Sequence, residues 1–321
     1  MADPRRGLWA LALPLLVSLS LHTLYLVADL AFVGRLGGAA LSAVSFNLPI
    51  VLLGVGCALG LGSGVTAVVA RRVGAGDRVA ASRAVENGLF VALALAVAFV
   101  ALGTLGGRAL LRALGVPEAL LPLAWEYGQV VYFGFGPTVA AAFFRSWIGG
   151  EGDTRTPMRI LAIGALLNVV LDPVLIFGFG LGVRGAAIAT VVAQSTAVAL
   201  FVWVLVLRGT TFARLGAGGL RPRAAALGEI LRIGVPSSMS LVFLAVAAAV
   251  FHRILVVYSP QAVAAFQIGS RLDQLVMLPA IAFTTGLVTM TGMMRGAGRL
   301  DLAPSLIAYA LAWLIAVGLV A

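Results

Sequence analysis

Nine apolar runs, each long enough to cross a lipid bilayer, occupy most of this chain. A crossing helix needs about 20 residues, at about 1.5 Å rise each, to span about 30 Å of hydrocarbon. The runs cover residues 8–33, 41–70, 84–105, 119–144, 158–178, 183–207, 233–257, 263–294 and 302–321. Isolated strands cannot satisfy their backbone groups in lipid, so each run predicts a helix and the chain reads as an all-α polytopic membrane protein. Of the 321 residues, 61% are hydrophobic and 11% are charged, against about 25% charged in a soluble domain. That balance excludes a water-soluble enzyme. The second and eighth runs are over-long and contain Pro49 and Pro279, which predict tilt or a kink.

The net charge of +10 could suggest nucleic acid, but its distribution argues otherwise. All 22 basic residues are Arg, and they fall mainly in short gaps between apolar runs. With the N-terminus inside, sixteen Arg fall on the cytoplasmic side: 5, 6, 71, 72, 78, 83, 145, 155, 159, 208, 214, 221, 223, 232, 295 and 299. Five fall outside, at 35, 108, 112, 184 and 253, and Arg271 lies within a run. This bias is the positive-inside pattern of a multi-pass protein of the cytoplasmic membrane. Arg5 and Arg6 before an apolar run resemble a secretory leader, but the run is long, contains Asp29 and lacks a small-residue cleavage site, so it reads as a first span. The single Cys57 excludes a disulfide framework.

The chain also matches itself at a shift of 222 residues. Pro14 falls on Pro236, Ser18 on Ser240, Gly64 on Gly286, and Gly74-Ala75-Gly76 on Gly296-Ala297-Gly298. An even number of spans separates the copies, so both run the same way through the membrane, a plan that recurs in transporters. The expected organisation is a first lobe over 1–207, an inter-lobe linker over 208–231 and a partial second lobe over 232–321. The second copy stops at the equivalent of Phe99, which predicts either a fragment or a naturally shortened lobe.

Buried charge is costly in lipid, so intramembrane acids are functional candidates. Asp29 and Asp172 stand out. Helical rise puts them, with Tyr127, Asn168 and Thr190, in one slab of the outer half. Asn168 and Asp172 lie four residues apart and share a helix face. Pro173 removes a helical hydrogen bond and frees the Val169 carbonyl, which suits a proton relay or a small hard cation. His22 lies seven residues before Asp29, near the same face; that position allows a proton shuttle, but the residue reads rather as a packed or pore-lining histidine. Arg271 and Asp273, two residues apart, do not face each other. Gly74-Ala75-Gly76-Asp77 lacks the Gly-Lys-Ser/Thr ending of a phosphate loop. Gly60, Gly62 and Gly64 suit close helix packing. No catalytic triad or His/Cys cluster is legible, so no enzyme activity and no cofactor are expected.

Several motifs together resemble the multidrug and toxic compound extrusion (MATE) family. They are Val27-Ala28-Asp29-Leu30-Ala31-Phe32-Val33-Gly34-Arg35-Leu36-Gly37, Ala70-Arg71-Arg72-Val73-Gly74-Ala75-Gly76-Asp77, and Gly152-Asp153-Thr154-Arg155-Thr156-Pro157-Met158. Further along come Asn168-Val169-Val170-Leu171-Asp172-Pro173, Gly182-Val183-Arg184-Gly185-Ala186-Ala187 and Ile233-Gly234-Val235-Pro236-Ser237-Ser238. The resemblance covers essentially the whole chain. It implies a MATE-like two-lobe helical bundle with about nine of twelve transmembrane helices present, in the DNA-damage-inducible-type branch.

The same resemblance implies export of organic cations and drugs, driven by inward H⁺ or Na⁺ flow. It carries the coupling site to Asp29, Tyr127, Asn168, Asp172 and Thr190, with Na⁺ held, where it is the coupling ion, at Asp29, Asn168, Asp172 and Thr190. Pro14 corresponds to the hinge proline of the first helix. The expected partners are cationic or amphipathic small molecules and the bilayer, with no nucleic acid. Two alternatives stand beside this reading. One is a lipid-linked oligosaccharide flippase of the same superfamily; the other is a non-transporting remnant or partner subunit.

Overall fold

The computed structural model describes residues 4–209, 211–215, 222–258 and 260–320. Ten α-helices carry the fold: α1 (Pro4–Gly34), α2 (Gly38–Gly74), α3 (Arg78–Ala113), α4 (Leu121–Phe133), α5 (Phe135–Gly150), α6 (Arg155–Pro173), α7 (Gly182–Arg208), α8 (Ala224–Tyr258), α9 (Pro260–Gly296) and α10 (Ala303–Val320). Among the described residues there is no strand. Among the described residues, seven helices are long and apolar enough to cross a membrane: α1, α2, α3, α6 with the turn that follows it, α7, α8 and α9. The chain is an all-α polytopic membrane protein.

The helices outrun the apolar stretches, because their polar ends continue the same hydrogen-bond ladder. Arg71 and Arg72 lie in the last turn of α2, and Arg78 opens α3. Asp77 caps α3, its carboxylate accepting from Ala80 N at 2.8 Å. Arg145, expected in a gap between spans, is instead inside α5. Helix α8 begins at Ala224, so the stretch expected as linker includes its first two turns. α2 and α9 run unbroken through Pro49 and Pro279.

The expected fourth span is two helices, broken at Gly134. Pro137, in the first turn of α5, has no N–H to give the Phe133 carbonyl. A Cβ on Gly134 would overlap the Val191 side chain of α7, so the break also lets α7 approach. After Pro173 the fifth span loosens into a π-helical turn, Val174–Gly178, closed by Phe179 N donating to Val174 O at 2.9 Å. Such turns relieve a disrupted ladder.

The 222-residue shift holds in the backbone. It carries Gly38–Gly74 onto Pro260–Gly296, the bounds of α9. The turns that follow match bond for bond. Ala75, Gly76 and Asp77 N donate to Arg71, Val73 and Arg72 O, and Ala297, Gly298 and Arg299 N donate to Met293, Arg295 and Met294 O. Gly76 and Gly298 have φ of 71° and 70°, a left-handed conformation that glycine adopts without Cβ strain.

The copies meet along α2, α8, α9 and α1. Gly60 and Gly64 face the backbone of α8, at Ser238 and at Ile230 and Gly234, closely enough that any Cβ would overlap it. The Ser238 hydroxyl donates to Gly234 O at 2.9 Å or reaches across to Cys57 O at 3.2 Å. Leu8, Leu11 and Ala12 of α1 form a buried cluster with Phe283, Met290 and Met294 of α9. These contacts run from the Arg-rich end to about mid-helix, where Gly56 meets Leu241. Beyond that level Phe243, Val246, Val250 and Ile254 of α8 are exposed. The two copies are therefore packed together at the Arg-rich end.

Candidate functional site

Asp29 sits five residues before the end of α1, and Asp172 next to the last residue of α6. The two helices pack side by side, and this brings the two carboxyl groups within hydrogen-bonding reach when one carries a proton. Asp172 is 0% exposed, Asn168 1% and Asp29 7%. Buried carboxylates are normally paired or saturated with donors. Here Asp29 Oδ1, Asn168 Oδ1 and both Asp172 carboxylate oxygens have no hydrogen-bond partner.

The remaining expected residues gather around this pair. Asn168 Nδ2 faces Thr190 Oγ1 at 3.5 Å, and the Thr190 hydroxyl donates to Ala186 O at 3.2 Å. Tyr127 is buried, in electrostatic reach of both acids. It shares an apolar cluster with Val33, Val44, Val131, Ile176 and Val183, which limits water around the acids. Pro14 is buried in α1 but lies 15 residues from Asp29, about 22 Å along the axis, so it is not part of the cluster.

Sequence reasoning missed Tyr25. It lies one turn before Asp29, in electrostatic reach of Asp29 and Asp172, and packs edge-on against His22 with ring centroids 4.9 Å apart. Its spacing of four from Asp29 was the available signal. The side chains of Arg271 and Asp273 lie outside the described residues.

Four acceptor oxygens without protein donors form a site that lacks positive charge. In chemical terms such a set of oxygens can accept a proton or a small hard cation with a preference for oxygen. Among the described residues no group of three His, Cys, Asp or Glu gathers to hold a transition metal.

Apolar helices that cross the membrane several times around a buried acid pair define a polytopic helical membrane protein with unpartnered carboxylate oxygens in its interior. A model of the MatE family matches residues 14–174, half of the chain. The chain belongs to the MatE family, the one its motifs resemble. It is 30% identical over 92% of its length to a FAD transporter of Shewanella oneidensis, and 29% identical over 92% to a probable multidrug resistance protein NorM of Thermotoga maritima. It spans 66% and 64% of those relatives, just under two thirds. Among solved structures, a MOP superfamily transporter from Pyrococcus furiosus superposes with a TM-score of 0.94 at 28% identity, covering 99% of this chain and 71% of that one.

Proposed function

We propose that the chain works as a cation-coupled exporter of amphipathic small molecules, with its coupling site at Asp29, Asp172, Asn168, Thr190 and Tyr127. The observation that carries this reading is the set of buried acid and amide oxygens left without donors. The protein bears the cost of their burial in one state and recovers it when H⁺ or Na⁺ binds. A coupling ion must have different affinities for two conformations, and a site so short of donors gives it that difference.

The mechanism is alternating access. With the N-terminus inside the cytoplasmic membrane, the Arg-rich end is cytoplasmic, and the lobes closed at that end leave the outer side open. Ion entry neutralises the acid pair and favours a bend of α1 near Pro14, releasing the exported solute outward. Return of the empty lobes exchanges the ion to the inside. The relatives named as multidrug proteins support organic cations as substrates, and the relative named as a FAD transporter supports larger charged amphiphiles.

The test is reconstitution of the chain in vesicles with ethidium as substrate and an imposed H⁺ or Na⁺ gradient. The wild-type chain moves ethidium against its gradient, and Asp172→Asn abolishes that movement while remaining in the membrane. Undiminished export by Asp172→Asn, or no gradient-driven movement by the wild type, overturns the proposal.

A further inference from the structure

Asp29 is the outer member of a polar stripe. Ser18, His22, Tyr25 and Asp29 follow at i, i+4, i+7 and i+11 on α1 and so share one face. Across from this stripe stands Arg145 of α5, in electrostatic reach of His22. On α5 the half-buried positions Thr138, Ala142, Arg145 and Gly149 recur at the same spacing, while Phe143, Phe144, Ser146, Trp147 and Ile148 are buried. α1 packs mainly on α6 and α9, and α5 mainly on α2, α3 and α7. Both faces are therefore only partly covered by neighbouring helices, and His22 and Arg145 stand within electrostatic reach across them.

Arg145 is half-buried, and no hydrogen bond or ion pair to it is formed among the described residues. The acid pair lies too far away to neutralise it: His22 and Asp29 are separated by about 10 Å of helix axis. A guanidinium partly withdrawn from water without a counter-charge favours an anion beside it. Its planar fork matches the two oxygens of a carboxylate or phosphate.

We infer that Arg145 anchors the anionic group, a carboxylate or phosphate ester, of an amphipathic solute lodged between α1 and α5. His22 and Ser18 flank that group on α1. A solute with a positive end directs it toward the acid pair, so the space suits zwitterions and anions as well as simple cations. The inference rests on the chain being a carrier of amphiphiles, but it does not require ion coupling.

The test uses two dyes that differ in one carboxylate, rhodamine B and its ethyl ester. Their affinity for the purified full chain in lipid nanodiscs is read by fluorescence polarisation. The wild type binds the free acid about tenfold more tightly than the ester, as a charge-assisted bidentate contact gives. Arg145→Gln lowers the affinity for the acid to that for the ester and leaves the ester unchanged, and Arg145→Lys restores part of the preference. Asp172→Asn, which removes a charge facing the positive end that both dyes share, weakens the two dyes alike, so loss at the acid pair and loss of anion anchoring are read separately. Equal affinity of the wild type for the two dyes overturns the inference, whether or not the variants fold. So does equal weakening of both dyes by Arg145→Gln, because a structural role produces that result.

Discussion

Gly74 and Gly296 occupy equivalent positions 222 residues apart, and each closes on the helix of the other. A Cβ on Gly74 would overlap Met293 O, and a Cβ on Gly296 would overlap Arg71 O, the two carbonyls being themselves equivalent under the repeat. The seam at the Arg-rich end is thus pseudo-symmetric and made of backbone against backbone. Such contacts cannot be relieved by a rotamer change.

The seam prediction follows at Gly60, which faces the Ser238 backbone. Gly60→Ala overpacks it at about 1–3 kcal/mol and lowers the melting temperature of the purified protein. Gly228→Ala, on the same seam helix but with open space around it, is the control and leaves melting unchanged or slightly raised. Equal melting of the two variants contradicts the close approach.

Glu229 of α8 ties the lobes by charge. Arg71 and Arg72 of α2 donate to it at 2.5 and 3.0 Å. The groups are part-exposed, with side-chain accessibilities of 28% to 38%, so the stabilisation is below about 1 kcal/mol. Its effect is on the balance of states: Glu229→Ala loosens the Arg-rich closure. Cys57, the single cysteine of the chain, lies on the seam and reports it. Maleimide labelling of Cys57 accelerates several-fold in Glu229→Ala, and an unchanged rate contradicts the tie.

Glu151 fastens the segment after α7. Its carboxylate accepts from Phe212 N and Ala213 N at 2.9 Å each, and from Trp147 Nε1 at 2.8 Å. Ser82 Oγ accepts from Arg214 N at 3.0 Å. Glu151→Ala removes the shared acceptor, and limited trypsin digestion cuts after Arg214 several-fold faster. Digestion at the wild-type rate contradicts the fastening.

The acid pair makes a prediction about stability that opposes the transport role proposed for it. Asp172→Asn replaces a buried carboxylate lacking donors with a neutral group of the same shape. The variant melts at or above the wild-type temperature, a gain of up to about 1–3 kcal/mol. A fall of several degrees contradicts the account of Asp172 as a strained, unsatisfied acid.

The sequence made the helical class legible because lipid permits few alternatives: apolar run length located all seven described helices long enough to cross, but it read the short helices α4 and α5 as one span. Asp29, Asn168 and Asp172 stood out because charge and amide are rare in such runs. Contacts between passes were not legible. Gly60, Gly64 and Gly74 are three among 39 glycines, and only packing reveals which face backbone. Arg145 was misplaced because the apolar run ends before it, whereas α5 continues to Gly150. Tyr25 was passed over because an aromatic in an apolar run has ordinary uses; only its contact with His22 and its nearness to both acids set it apart. The break at Gly134 was readable from Pro137 but was absorbed into one apolar stretch.

The central claim is that Asp29 and Asp172 together bind the coupling ion, and ion binding to purified protein tests it most directly. Protons taken up on acidification, and heat released on Na⁺ addition, are measured for the wild type and for the Asp29→Asn, Asp172→Asn double variant. The account predicts a saturable proton uptake or Na⁺ heat in the wild type that the double variant loses. Equal uptake and equal heat in the two proteins would contradict it.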